Sequence, residues 1–299
     1  MLGVLISAVV PIALVALVGV WIGRKFDLDL KTLAQMNIYA LLPALVFTGV
    51  ANASLNASST LRLAAGFLIN TALLYGIARV LGQWLGLTPD ARKSLVATTV
   101  FANVGNMGLP FVLFSLGEAG LERAIVYLVA SSLTIAPLFS VVLKGEGLLT
   151  GLRFTLRLPV LWAAVAGLGI QLTPLTFPLP MAQGIELLGS AAVPVALLTL
   201  GIQLSRTPFA FGPAELMGAG LRLLLSPLLA LGVGRGLGLA GLDLQVLVIQ
   251  AAMPVAVNSL IWVTELGGDR LRVAKTVVLS TLLSFLTLPV VLWLVGQWA

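Results

Sequence analysis

Residues 94–117 read SLVATTVFANVGNMGLPFVLFSLG. A simple membrane anchor would be Leu and Val throughout, yet the middle of this run, Asn103 to Pro110, holds two Asn, two Gly and a Pro. Pro110 has no N–H and its ring clashes with the carbonyl four residues back, at Asn106, while Gly105 and Gly108 lower the cost of leaving helical φ/ψ. Neither flank is long enough to cross a bilayer alone, so an interrupted helix is expected. Backbone groups freed by the interruption cannot face lipid and must be buried in protein or line a wet cavity. Residues 244–267, LQVLVIQAAMPVAVNSLIWVTELG, have the same character, with Gln250, Pro254, Asn258 and Ser259 near the middle.

The rest of the chain explains why such breaks matter. Of its 299 residues 59% are hydrophobic and 9% charged, and the mean hydropathy is +1.10, which is the composition of a polytopic membrane protein. About 20 apolar residues cross the hydrocarbon core. Apolar runs between breaker signals give ten spans, at 3–22, 32–50, 61–85, 94–116, 120–143, 158–173, 181–203, 215–236, 244–265 and 271–296. The two interrupted stretches are spans 4 and 9. With no His and no Cys, zinc-protease motifs, thiol nucleophiles, haem ligation and disulfides are excluded, and no metal site or enzyme activity is expected. The net charge of +6 comes from residues placed singly or in pairs between apolar runs, so nucleic acid is not expected as a partner.

Those basic residues set an orientation instead. Of 17 Lys and Arg, all but Arg62, Arg123 and Arg235 fall in or beside the loops after odd-numbered spans, Arg222 among them. The positive-inside rule makes those loops cytoplasmic and puts both termini outside the cell membrane. Trp21, Trp84 and Trp162 then fall at cytoplasmic helix ends, and Trp293 and Trp298 at an outer end, as interfacial indoles should.

The two halves also match each other. Pro43 pairs with Pro194 at an offset of 151 residues, and Asn106 with Asn258, Ser132 with Ser284 and Pro137 with Pro289 at 152, each pair on the matching span of a set of five. The expected fold is therefore all-α, ten transmembrane helices in two inverted five-helix repeats: 1–143, a short cytoplasmic linker at 144–157, and 158–299. Inverted repeats are the usual construction of secondary transporters, with the site where equivalent broken helices meet. If spans 4 and 9 cross, two half-helix N-termini converge beside the Asn103, Asn106 and Asn258 side chains and Ser259. That environment suits a carboxylate, without a buried Lys or Arg. The plainer alternatives are close helix packing at Gly105 and Gly108, interhelical hydrogen bonds from the Asn side chains, and simple helix kinks at Pro43 and Pro194. Thr48 and Thr199 are expected to bond back to their own turns.

All eleven acidic residues lie in loops or near span ends, with Glu186 the deepest and read as interfacial. A proton-coupled cycle commonly uses a midplane carboxylate. None is expected here, whereas sodium held by backbone carbonyls and Asn, Ser and Thr oxygens stays possible.

The stretches NVGNMGLP (Asn103 to Pro110), QAAMP (Gln250 to Pro254) and TVVLSTLLSFLTLPVV (Thr276 to Val291) resemble the auxin efflux carrier family, which includes plant auxin exporters and bacterial permeases for dicarboxylates such as malate or malonate. The family is similar in fold to bile acid sodium symporters. The resemblance implies a scaffold of helices 1, 2, 6 and 7, an elevator-like transport domain of helices 3–5 and 8–10, and a homodimer through helices 2 and 7. It also implies a carboxylate contact at Asn103 and crossover prolines at Pro110 and Pro254. The long regulatory loop of the plant carriers is missing between spans 5 and 6. The expected function is transport of a small organic mono- or dicarboxylate across the lipid bilayer, without an organic cofactor. A sodium-coupled symporter and a non-transporting membrane ligand sensor are the alternatives.

Overall fold

In an apolar solvent every backbone N–H and C=O must be satisfied within the chain, and helices do this locally. The computed structural model describes residues 8–53, 56–142, 148–173, 178–207 and 212–298, and these are helical almost throughout, with a single isolated bridge and no strand. The helices are α1 (Val10–Lys25), α2 (Leu30–Ala51), α3 (Ala57–Trp84), α4 (Pro89–Val100), α5 (Leu109–Val142), α6 (Leu148–Leu156), α7 (Pro159–Leu172), α8 (Leu179–Arg206), α9 (Pro213–Gly236), α10 (Gly241–Ala251), α11 (Ser259–Leu266) and α12 (Arg270–Trp298). Five of them, α2, α3, α8, α9 and α12, are long and apolar enough to cross a membrane.

Local chemistry sets the ends. The Asp29 carboxylate accepts from the N–H groups of Lys31 and Thr32, and Asn56 accepts from Ser59 N–H at 2.7 Å. Thr88 caps α4 with Pro89 following it, the position where a missing N–H costs nothing. Gly117 has φ 69° and ψ −167° and breaks α5 into 109–116 and 118–142. Only glycine takes that conformation cheaply.

Proline leaves a second signature. Pro43, Pro110 and Pro227 each follow a π-turn by two residues, at Asn37–Leu41, Val104–Gly108 and Leu221–Leu225. The wider winding moves the carbonyl with which the proline ring would clash, so the chain turns on rather than stopping. Pro194 and Pro289 stay within continuous α-helix. The linker also differs from a simple loop: α6 turns Gly151 and Thr155 inward and exposes Leu149, Leu152 and Leu156 beside Arg153 and Arg157, an amphipathic pattern.

Two sets of helices pack mainly among themselves. In the first, α1 lies along α8 and α2 packs on α7 and α8. In the second, α3 packs on α4, α5 and α9, while α10 meets α5, α9 and α12. The sets touch where the Val104–Gly108 π-turn meets α8 and where α5 meets α2 and α7. Large apolar side chains such as Leu17, Leu61, Leu172 and Leu187 face outward, together with Trp21, Trp84, Trp162, Trp293 and Trp298. Among the described residues the largest fully buried side chain is a cation, Arg222.

Candidate functional site: the crossing of two broken helices

The chain leaves helical geometry after Val100 and again after Ala251. Phe101 is extended, at φ −87° and ψ 102°, and Asn103 lies at φ −80° and ψ 57°. The two extended segments meet antiparallel. Asn103 N–H donates to Pro254 O at 2.8 Å, Ala256 N–H donates to Phe101 O at 2.9 Å, and Ala102 bridges Val255. Val255 N–H donates to Ser280 Oγ of α12 at 3.1 Å. This short ladder satisfies peptide groups that neither helix can serve, which is what allows a break away from water.

The break in span 4 therefore lies earlier than its proline suggested. Gly105 and Gly108 sit inside the π-turn that restarts the helix, and Pro110 is in the first turn of α5. The crossing peptides are Phe101–Asn103 and Pro254–Ala256. Pro110 distorts by widening the turn before it, while Pro254 lies in the break itself, where it needs no N–H and disfavours helix for Met253.

Four helix ends result. The N-terminal ends, at the Val104 π-turn and at Ser259, carry roughly +0.5 elementary charge each; at the second, the N–H groups of Ser259 and Leu260 donate to Ala256 O at 3.1 Å and Val257 O at 3.0 Å in the preceding turn. The C-terminal ends, at Val100 and Ala251, carry the opposite charge. Arg222 lies between those two C-terminal ends. Its two terminal amino groups donate to Thr99 O at 2.9 Å and Val100 O at 3.3 Å, and to Ala251 O and Ser226 Oγ. Ser226 Oγ in turn donates to Ala251 O at 2.8 Å and accepts from Asn70 Nδ2 at 3.3 Å. Arg222 is 1% exposed, and no carboxylate pairs with it among the described residues.

This overturns two sequence expectations. The crossing does contain a buried cation, and Arg222 does not mark a cytoplasmic loop; the remaining basic residues keep the same bias. The physical reason is that helix C-terminal carbonyls replace water as acceptors, so the desolvation cost expected for an intramembrane Arg is largely met. A lone Arg six residues into an apolar run, with Ser226 one turn later, was the available signal.

The other predicted residues divide by environment. Asn103 is 4% exposed and its Nδ2 has no hydrogen-bond partner. Asn106 is half-buried and its Oδ1 accepts from Asn37 Nδ2 of α2 at 3.5 Å. Asn37, which no sequence motif singled out, sits on the π-turn behind Pro43. Asn258 is exposed, while Ser259 is buried and donates to Ala256 O at 2.6 Å, inside its own turn. No hydrogen bond joins Asn103, Asn106 and Asn258 to one another among the described residues. Thr48 and Thr199 do bond back to their own turns. Glu186 is exposed. Gln250, in the last turn of α10 directly before the second break, is fully buried with neither amide atom paired, and its Oε1 would stand 2.1 Å from a Cβ added at Gly108.

The membrane transport protein family matches residues 4–150 and 148–292. The chain belongs to that family. It is the family, auxin efflux carrier-like, that the motifs of spans 4, 9 and 10 resemble. Over 273 residues the chain is 32% identical to an "Uncharacterized transporter" of Methanothermobacter thermautotrophicus, covering 89% of this chain and 88% of the relative. It is 26% identical over 274 residues to a Rhizobium meliloti protein named "Putative malonate transporter", covering 88% and 86%. An "Uncharacterized transporter" of Escherichia coli is 25% identical over 284 residues, covering 87% and 88%. Family membership and the long apolar helices together make this a multi-pass membrane transporter, and in a membrane transport protein a broken-helix crossing is the expected place for cargo.

Proposed function

We propose that this transporter carries a small organic anion, a mono- or dicarboxylate, by alternating access, with one carboxylate bound at the N-terminal helix ends of the crossing. The observation that carries this reading is Asn103. Its buried amide nitrogen has no partner and stands at the start of the π-turn whose first N–H groups lack helical acceptors. Leaving such a donor unpaired away from water costs about 1–3 kcal/mol, a cost that a bound carboxylate oxygen removes. The relative named for malonate favours the same chemical class.

The wider reading follows the helix packing. The ten spans form two inverted repeats; the set containing α1, α2, α7 and α8 is a scaffold, and the set carrying the crossing moves against it as an elevator. Asn37 of α2 facing Asn106 is then a contact that this movement breaks and remakes. Both termini lie outside, and a second copy docks on the outer faces of α2 and α8.

The test is counterflow in proteoliposomes with labelled malonate and a panel of mono- and dicarboxylates. Wild type exchanges at least one of them, and Asn103→Ala loses exchange while melting at the wild-type temperature. Exchange that survives in Asn103→Ala removes the carboxylate site from the crossing.

A further inference from the structure

The C-terminal half of the crossing is an oxygen cluster. Thr99 O and Val100 O face one terminal nitrogen of Arg222, Ala251 O and Ser226 Oγ face the other, and two more oxygens, Asn70 Oδ1 and Thr99 Oγ1, are buried without a partner. Backbone carbonyls at unwound helix C-terminal ends are what carriers of this general construction use to coordinate a coupling sodium ion. Here that position is taken by the guanidinium of Arg222. Two helix C-termini of roughly −0.5 elementary charge each are balanced by one fixed positive charge. The N-terminal ends are left with an unopposed positive potential of similar size, matched to one carboxylate.

We propose that Arg222 is a built-in counter-cation that occupies the coupling-ion position, so that the crossing binds and moves its anion without sodium. Arg222 here is a positioning residue: it touches the helix ends, not the anion. The transport part of the inference rests on the crossing being the carrier's anion site, whereas the part concerning Arg222 itself is read by protein stability and does not need a known cargo.

The experiment compares purified wild type, Arg222→Ala and Arg222→Lys by thermal melting in choline chloride, sodium chloride and guanidinium chloride at equal, sub-denaturing concentration. Wild type is expected to melt at one temperature in choline and sodium, and somewhat lower in guanidinium through its general denaturing effect. Arg222→Ala is expected to melt lower in choline and to recover by about 3 °C or more in sodium, or in guanidinium measured against wild type in the same salt, because a small cation refills the oxygen cluster. Arg222→Lys keeps the charge and is expected to follow the wild-type response in each salt. A merely structural arginine would leave the alanine variant equally destabilised in every salt, and that result overturns the proposal. So does a wild type stabilised by sodium over choline. Should the alanine variant not fold, the lysine variant decides: indifference to sodium supports the proposal, and stabilisation by sodium overturns it. In proteoliposomes, wild-type anion exchange is expected to be equal in sodium and choline. If no carboxylate is exchanged at all, the anion site falls while the melting result still reads Arg222.

Discussion

The seam between α1 and α8 and the crossing of the broken helices solve opposite problems. At the seam both helices are continuous and glycine brings the backbones together: a Cβ on Gly201 would lie 2.0 Å from Ala16 O, and one on Gly19 would lie 2.3 Å from Leu198 O. Gly19 and Gly201 lie inside α1 and α8, so the contact between them is made by close packing of backbone. At the crossing the helices stop, the peptides pair with one another, and buried polar atoms are left over at Asn103, Gln250 and Arg222. Close packing of continuous helices gives a stiff seam. Broken backbone gives dipoles and unpaired donors, at a cost in stability. The difference teaches that shape and site are carried by different helices, and each can be disturbed separately.

The seam should show the largest effect on stability. In Gly201→Val the added carbons meet backbone, which cannot rotate away as a side chain can. The expected loss is about 3 kcal/mol, the upper part of the usual range for overpacking, seen as a fall in melting temperature of several degrees. Anion binding by the protein that remains folded should be unchanged. A variant that melts like wild type would mean that α1 and α8 separate easily, and the contrast with the crossing would be lost.

Next comes the clamp at the end of α10 that faces away from the crossing. Arg123 donates through Nε to Asp243 Oδ1 and through a terminal nitrogen to Ala119 O at 2.8 Å, and Asp243 Oδ2 accepts from Ser59 Oγ at 2.5 Å. The pair joins α3, α5 and the first turn of α10, with side-chain exposures of 19% and 15%. Asp243→Asn removes the ion pair, and with it the favourable negative charge at that helix start, while keeping the shape. About 1–2 kcal/mol should be lost, since a partly screened charged hydrogen bond is worth more than a surface pair and less than a buried one. Melting in low and high salt checks it, and the deficit should shrink as salt rises.

How much of this contrast the sequence revealed depends on whether a feature is local. The two breaks were readable because Asn, Gly and Pro clustered in apolar runs at Asn103–Pro110 and at Pro254–Ser259 contradict continuous helix. Where each break falls was less readable: Pro110 has two outlets, a stop or a widened turn, and only the bridge between Ala102 and Val255 makes the stop at Phe101 the cheaper one. Arg222 reads in the sequence as the cytoplasmic end of span 8, because its acceptors, Thr99, Val100 and Ala251, come from two other helices 29 to 123 residues away in the chain. Asn37 was invisible for the same reason: its partner Asn106 is 69 residues away, and nothing in its own neighbourhood marks it.

A subtler effect tests how tightly the crossing itself is packed. Gly108→Ala would drive its methyl into the amide of Gln250, but a side-chain end can move where a backbone cannot. The single change should therefore cost about 1 kcal/mol, well below Gly201→Val, and should cost nothing when Gln250 is also alanine. A double-mutant cycle by thermal melting measures the coupling. Additive losses would mean that Gly108 is needed for its backbone conformation instead.

The smallest effect lies outside both regions, at the start of α2. The Thr32 hydroxyl, bonded to Asp29 Oδ2 at 2.6 Å, and the Lys31 N–H hold the exposed Asp29 carboxyl below the ordinary aspartate range. A depressed folded-state pKa means that the carboxylate contributes stability above the unfolded-state value, and that this contribution fades as pH falls through the folded-state value. Wild type and Asp29→Asn should therefore differ slightly at neutral pH, with wild type the more stable, and should converge below about pH 4. Asparagine is itself a good N-cap, so the neutral-pH gap isolates the charge from the cap geometry. Asp29→Ala removes both and should melt lower than Asp29→Asn at every pH. If the two variants melt together, the cap holds α2 by charge alone and the hydrogen-bond geometry at Lys31 and Thr32 contributes nothing.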